Sequence, residues 1–182
     1  MNNIIVTRKE LEYRLSWNLH QKIDHAAGTI EKFLNETKGK AYISFSGGKD
    51  STVLLDIVRR FVDKNIVAVF CNTGNEYPEI VQFVKTFDNV TIIRPKMKFR
   101  EVIERYGFPL ISKEQSKYIH DLKYTKSDIT RQKRIYGTRY KKGGFLLGKV
   151  SDKWMFLKDA PFDISDTCCT ILKKDPFKLY LK

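Results

Sequence analysis

Between residues 41 and 107 three short apolar runs alternate with three stretches of helical periodicity, and no other feature constrains the fold as strongly. The runs are AYISF (41–45), IVAVFC (66–71) and VTIIRP (90–95), the last closed by proline. Between them, STVLLDIVRRFVDK (51–64) sets Val53, Leu54, Ile57, Val58 and Phe61 on one side of a helix. YPEIVQFVKTF (77–87) predicts a second helix, with Pro78 in its first turn, where proline is tolerated. KFREVIERYG (98–107) predicts a third, stopped by Gly107. Strands that are apolar throughout, rather than alternating, belong in a parallel sheet covered on both faces. Right-handed crossovers then give a doubly wound layer, in which ligands bind beyond the carboxyl ends of the strands. Two loops rich in special residues stand at those ends: SGGKDS (46–51) after the first strand and NTG (72–74) after the second.

The flanks are read more coarsely. Leu11, Leu15, Leu19, Ile23, Ala27, Ile30 and Leu34 recur at spacings of three and four, which predicts one long amphipathic helix over 8–37, ended by Gly39. KEQSKYIHDLKYTKSDITRQKRI (113–135) reads as one or two polar, basic helices, and residues 136–154 as loop or an extended excursion. DTCCTILKKDPFKLYLK (166–182) opens on Asp166 as a helix cap and holds Pro176 at the start of a last helical turn. The expected organisation is an N-terminal helix (1–39) packed on a core (40–112) that carries both loops, with a basic C-terminal part (113–182) completing the site.

Charge and cysteine usage narrow the class. The chain of 182 residues carries a net charge of +13, unevenly placed. Residues 113–158 hold 13 basic and 4 acidic side chains, against 17 and 13 in residues 1–112. The middle segment is the expected footprint for nucleic acid, the plain alternative being a solvated basic face. Three cysteines, Cys71, Cys168 and Cys169, have no framework spacing, which fits a reducing compartment. Apolar runs stay under ten residues, too short for a membrane span, and no leader pattern opens the chain. A cytoplasmic location with no membrane partner is expected.

The loop at 46–51 is the chemical centre of the sequence. It fails the Walker pattern, because Gly48-Lys49 is followed by Asp50 and the upstream position is Ile43, and it lacks the third glycine of a dinucleotide fingerprint. A strand-to-helix turn still points unpaired N–H groups at an anion, aided by the helix dipole. Gly47 and Gly48 let the backbone approach a ligand, Ser46 and Ser51 offer hydroxyls, and Lys49 offers neutralising charge. Asp50 beside a phosphate makes sense as a Mg²⁺ ligand, as an acceptor for backbone donors or as a helix cap.

SFSGGKDS resembles the PP-loop of the ATP pyrophosphatases, Ser-Gly-Gly-x-Asp-Ser after the first strand. TVLLDIVRR and VFCNTGNEYPEIVQFVKTF resemble the phosphoadenosine phosphosulfate reductase branch of that superfamily. RPKMKFREVIERYGFPLISKEQS and DTCCTILKKDPFKLY are similar to reductase-like proteins common in phages and bacteria. The resemblance covers roughly residues 40 to 180. It implies an α/β fold of the Rossmann-like, adenine nucleotide alpha hydrolase-like kind, a mostly parallel five-stranded sheet with an adenine nucleotide at the strand ends. Carried over residue by residue, Ser46, Gly47, Gly48, Lys49, Asp50 and Ser51 cradle terminal phosphates or a sulfate, with Ser44 and Phe45 near the nucleotide. Thr73 and Gly74 match the segment near the ribose or base, where Asn72 replaces a common acid. Lys113 and Glu114 lie in a segment typical of such relatives, and Glu76 serves the site or caps the next helix.

Three functions follow as expectations. The first is adenylation: ATP with Mg²⁺ on Asp50, attack at the α-phosphate and release of pyrophosphate, with Lys49 and Asp50 catalytic. Acceptors in the superfamily include carboxylates, amides and RNA bases destined for sulfur transfer. The second is thiol-dependent reduction of phosphoadenosine phosphosulfate or adenylyl sulfate by Cys168 or Cys169, a pair that alternatively ligates zinc or an iron–sulfur cluster. The reductases' Glu-Cys-Gly-Leu-His segment is absent. The third is a non-catalytic nucleotide binder or subunit of a complex. Relatives continue past the segment that ends this chain, so the expectation is a natural short form, a form without the catalytic portion, or one whose remainder a second copy or a partner subunit supplies.

Overall fold

The computed structural model describes residues 6–139 and 146–182, so residues 140–145 of the expected excursion lie outside the described residues. The chain divides into two compact units, one of Met1–Phe70 with Tyr77–Ile92, the other of Cys71–Glu76 with Ile93–Lys182. Residues 40–112, read above as one core, contribute to both.

The first unit opens with two helices, α1 (Arg8–Leu15) and α2 (Leu19–Glu36), where apolar spacing predicts one over 8–37. Asn18 makes the break. Its side chain accepts the Gln21 N–H while the Gln21 side chain accepts the Asn18 N–H, each at 2.9 Å. This reciprocal capping box starts a new helix, and the local hydrogen bonds outweigh the apolar period. Then β1 (Ile43–Ser44), α3 (Lys49–Phe61), β2 (Ala68–Cys71), α4 (Pro78–Lys85) and β3 (Val90–Ile93) follow in the expected alternation. The strands lie in the order β1-β2-β3, with β1 parallel to β2 and Ile43 opposite Ala68. Phe45, Leu55, Val58, Ala68, Phe70 and Val84, each 2% exposed or less, form the core, and Ile30 and Leu34 of α2 pack against it.

The sheet holds three strands among the described residues rather than five. The later chain has one unbroken four-residue apolar run of aliphatic and aromatic residues, WMFL (154–157), and it lies in a 3-10 helix rather than extending the sheet. The later chain forms α5 (Phe99–Tyr106), α6 (Lys113–Tyr124) and α7 (Asp128–Tyr136), then a separate antiparallel pair, β4 (Thr138–Arg139) with β5 (Leu146–Leu147). A 3-10 turn (Asp152–Asp159) and a short parallel bridge between Phe108 and Ile164 complete this part. Ile119, Leu122, Val150, Leu157 and Ile164 form the second core. Beside it the buried Arg134 guanidinium donates to Asp121 at 3.1 and 2.7 Å and to the Gly148 carbonyl at 3.1 Å, and stacks 4.0 Å over the Tyr118 ring.

The C-terminal helix starts without the cap expected at Asp166. The Ser165 hydroxyl instead accepts the Thr167 N–H at 3.0 Å. Helical residues 168–169 lead into a π-helical turn (Thr170–Lys174) and α8 (Asp175–Tyr180). The Asp175 N–H reaches back five residues to the Thr170 carbonyl. Pro176 follows inside the helix, lacking an N–H and crowding the carbonyl four residues back, and a widened turn accommodates both. Among the described residues no helix is long and apolar enough to cross a membrane.

Candidate functional site

The SGGKDS loop joins β1 to α3 in the first unit. Gly47 has φ +71°, and a Cβ there would lie 2.9 Å from Cγ2 of both Ile80 and Val84 on α4, so backbone and packing both require glycine. Gly48 is different. It is the N-cap of α3 with φ −82°, and a Cβ would meet only Ser46 Oγ at 3.4 Å. The fold itself does not require glycine at this position. The two serines knit the turn. The Ser46 N–H donates to Ser51 Oγ at 3.2 Å, the hydroxyls lie 3.0 Å apart, and the Ser51 hydroxyl donates to the Gly48 carbonyl at 3.0 Å.

No side chain caps α3, so the N–H groups of its first turn stay open to an anion. Lys49 and Asp50 stand exposed in that turn, with no hydrogen bond or ion pair among the described residues. A single free carboxylate beside the open N–H groups of a helix start would suit Mg²⁺, which takes one or two carboxylates and fills its shell with ligand oxygens and water. The Phe45 ring, expected near the nucleotide, is 1% exposed and packs edge-on against Phe87 at 5.1 Å, and its N–H donates to the Val69 carbonyl. Ser44 lines an apolar cavity of about 230 Å³ with Ile30, Phe33 and Leu54.

The NTG loop follows β2 in the second unit. The Thr73 N–H and hydroxyl both donate to the Glu76 carboxylate, at 2.9 and 2.8 Å, and the Gly74 N–H donates to Asn72 Oδ1 at 3.0 Å. Glu76 thus closes its own turn rather than capping α4, whose N-cap Tyr77 has no side-chain bond. Asn72, Thr73 and Gly74 line a cavity of about 430 Å³ together with the segment Arg94–Lys98. Arg94, Lys96 and Lys98 are exposed cations on that wall, without an ion pair among the described residues. Sequence reading missed them. The available signal was position, since three basic residues alternate directly beyond the carboxyl end of an apolar strand.

Cys168 and Cys169 lie in the first turn of the C-terminal helix, and all three cysteines are free thiols. Burial, and then the neighbouring Cys169, push the Cys168 thiol up, with Lys113 opposing. Lys113 is thus electrostatically coupled to the pair, while Cys168 is held as a thiol, the reverse of an activated nucleophile. Burial also raises the Cys71 thiol, followed by the charge of Glu76. Among the described residues no group of three or more His, Cys, Asp or Glu is placed to hold a metal ion. Two thiols alone do not fit the closed ligand sets of zinc or an iron–sulfur cluster.

A parallel α/β sheet whose first strand runs through Ser-Gly-Gly-Lys-Asp-Ser into an uncapped helix defines the PP-loop class. Within it, the phosphoadenosine phosphosulfate reductase domain matches residues 40–141, more than half of the chain, and the chain belongs to that family. An uncharacterized protein of Methanocaldococcus jannaschii is 34% identical over 89 residues, covering 47% of this chain and 18% of that protein. The glutamine-hydrolyzing GMP synthase of Thermotoga petrophila is 31% identical over 102 residues, covering 53% of this chain and 19% of the synthase. That of Borreliella burgdorferi is 26% identical over 106 residues, covering 56% and 20%. The matched region thus spans about a fifth of the length of these curated relatives. No solved structure matches the chain.

Proposed function

We propose that the chain binds ATP with its terminal phosphates over Ser46–Ser51 and transfers the adenylyl group to an acceptor. The acceptor oxygen attacks the α-phosphorus, the bond from that phosphorus to the bridging oxygen breaks, and pyrophosphate leaves with the electron pair. The observation that carries this reading is the uncapped start of α3 beneath a Gly48 that the fold itself does not require. Backbone N–H groups and Lys49 are suited to hold the departing pyrophosphate, where negative charge develops. Asp50 would hold Mg²⁺, which when bound supplies further neutralisation at the leaving group. The likeness to enzymes named glutamine-hydrolyzing GMP synthases supports a nucleotide-handling reading for the shared region.

A second reading has one specific observation behind it. Arg94, Lys96 and Lys98 around the Asn72–Gly74 cavity suit a nucleotide with an additional phosphate, such as phosphoadenosine phosphosulfate. The raised Cys168 thiol weighs against reductive chemistry on that ligand.

The test is titration of the protein with ATP–Mg²⁺ and with phosphoadenosine phosphosulfate, followed by assay of pyrophosphate and sulfite across acceptors. ATP binding that is lost in Asp50→Ala, with pyrophosphate released in the presence of an acceptor, is the expected result. Tight binding of the sulfated nucleotide with sulfite release would replace the first reading by the second.

A further inference from the structure

The charge surplus of residues 113–158 can be followed in part by tracing its acids. All four are engaged. Asp121 pairs with Arg134 at 2.7 Å, Asp152 with Lys149 at 2.7 Å and Asp128 with Arg131 at 3.8 Å, and Glu114 accepts the Tyr118 hydroxyl at 2.6 Å. Lys113, Lys117 and Lys126 are exposed and make no hydrogen bond or ion pair among the described residues. Lys133 on α7 and Lys153, whose ammonium lies over the Trp154 ring, are likewise exposed without an ion pair among the described residues, but only on α6 and the turn after it do such cations stand with an exposed aromatic ring between them, at Tyr124.

On α6 the spacing does more than collect charge. Residues 113, 117, 120 and 124 share one helix face, a stripe roughly 16 Å long at 1.5 Å per residue. It reads Lys113, Lys117, His120, Tyr124, and Lys126 stands two residues on, in the turn after the helix ends. Tyr124 is 48% exposed, with its ring 4.9 Å from the His120 ring. Its hydroxyl donates to Asp163, and the neighbouring Lys123 ammonium donates to the Ala160 and Phe162 carbonyls at 3.1 Å each. The aromatic surface is thus presented in a fixed orientation, which lowers the entropy lost when something stacks on it.

We propose that this stripe binds single-stranded nucleic acid, with Lys113, Lys117 and Lys126 on phosphates and Tyr124 stacking on a base. Cations interleaved with an exposed ring are what an unpaired strand recognises. A duplex uses the charge and leaves the ring idle. The proposal rests on charge and exposure in the second unit and stands apart from the nucleotide reading of the SGGKDS loop.

The experiment is fluorescence anisotropy of labelled oligo(U) and oligo(dT) against the full chain, over a salt series. Binding that weakens with salt is expected, and Lys117→Glu with Lys126→Glu should weaken it at least tenfold. Neutralising each lysine should reduce the log–log salt slope by about 0.7. Tyr124→Ala should weaken binding several-fold and Tyr124→Phe should retain it, which separates stacking from the bond to Asp163. ATP affinity of the lysine variant, measured in parallel, should be unchanged, and it reports on the loop whatever the oligonucleotides do. Absence of oligonucleotide binding at low salt overturns the proposal. So does indifference to the lysine variant, preference for a duplex of the same sequence, or preference for vesicles of equimolar phosphatidylcholine and phosphatidylserine.

Discussion

The Cys71 thiol donates to the carbonyl of Leu172 at 3.3 Å, joining positions 101 residues apart. Leu172 lies four residues before Pro176, so proline leaves its carbonyl without the usual helical donor. The thiol takes that place, and the π-helical turn makes room for it. Pro176→Ala should restore a backbone donor, relax the widened turn and release Cys71. In a Cys168→Ser, Cys169→Ser background, thiol labelling of the remaining cysteine should accelerate several-fold. Unchanged labelling would mean that proline does not set the turn.

The two loop glycines should separate stability from binding. Gly47→Ala adds a Cβ in the left-handed region against Ile80 and Val84 and should cost about 2–4 kcal/mol in urea unfolding. Gly48→Ser supplies the cap that α3 lacks and should leave stability unchanged or raise it by about 0.3 kcal/mol. The same substitution should weaken nucleotide binding at least tenfold. Equal losses of stability at both positions would reduce Gly48 to a structural residue.

Arg134→Ala removes a buried guanidinium engaged by Asp121, Gly148 and the Tyr118 ring. Breaking one side of a buried pair should cost about 3–5 kcal/mol. Arg134→Lys should not rescue it fully, because an ammonium cannot reproduce the planar fork or the stack.

Cys168 should report its surroundings through pH. Burial raises its folded-state thiol above the ordinary value of 9.0. Stability from keeping the thiol neutral is therefore complete below that value and lost as pH rises through the folded value. Alkylation of Cys168 in a Cys71→Ser, Cys169→Ser background should be slow at neutral pH and should rise only above the ordinary thiol range. Rapid alkylation near neutrality would return the pair to candidacy as a nucleophile.

Arg94→Ala with Lys96→Ala tests which nucleotide suits the basic cavity. Affinity for phosphoadenosine phosphosulfate should fall about tenfold or more, as expected for lost charged hydrogen bonds, while ATP affinity should change little. Equal losses for both ligands would place the cations on a phosphate common to the two.

The first unit was legible in sequence because its signals are local. Apolar runs without alternation mark parallel strands, and a glycine pair between them and a helix marks the tight strand-to-helix turn. The break at Asn18 was equally local, in an Asn-x-x-Gln capping box, but a regular leucine spacing masked it. Glu76 shows a different limit. Both capping of α4 and closure of its own turn fit the sequence, and only the Thr73 geometry separates them. Arg94, Lys96 and Lys98 form a wall only once Asn72–Gly74 are folded beside them, a juxtaposition that no linear pattern reports.

Ile80 and Val84 occupy the space a Gly47 side chain would need, so α4 acts as a backstop to the anion loop. A loop leaning on a helix cannot collapse into the core, and the N–H groups at the start of α3 stay aimed outward. On the proposed function, a nucleotide would meet a lock already cut, and the rate of capture should be set by diffusion and charge rather than by rearrangement of the loop.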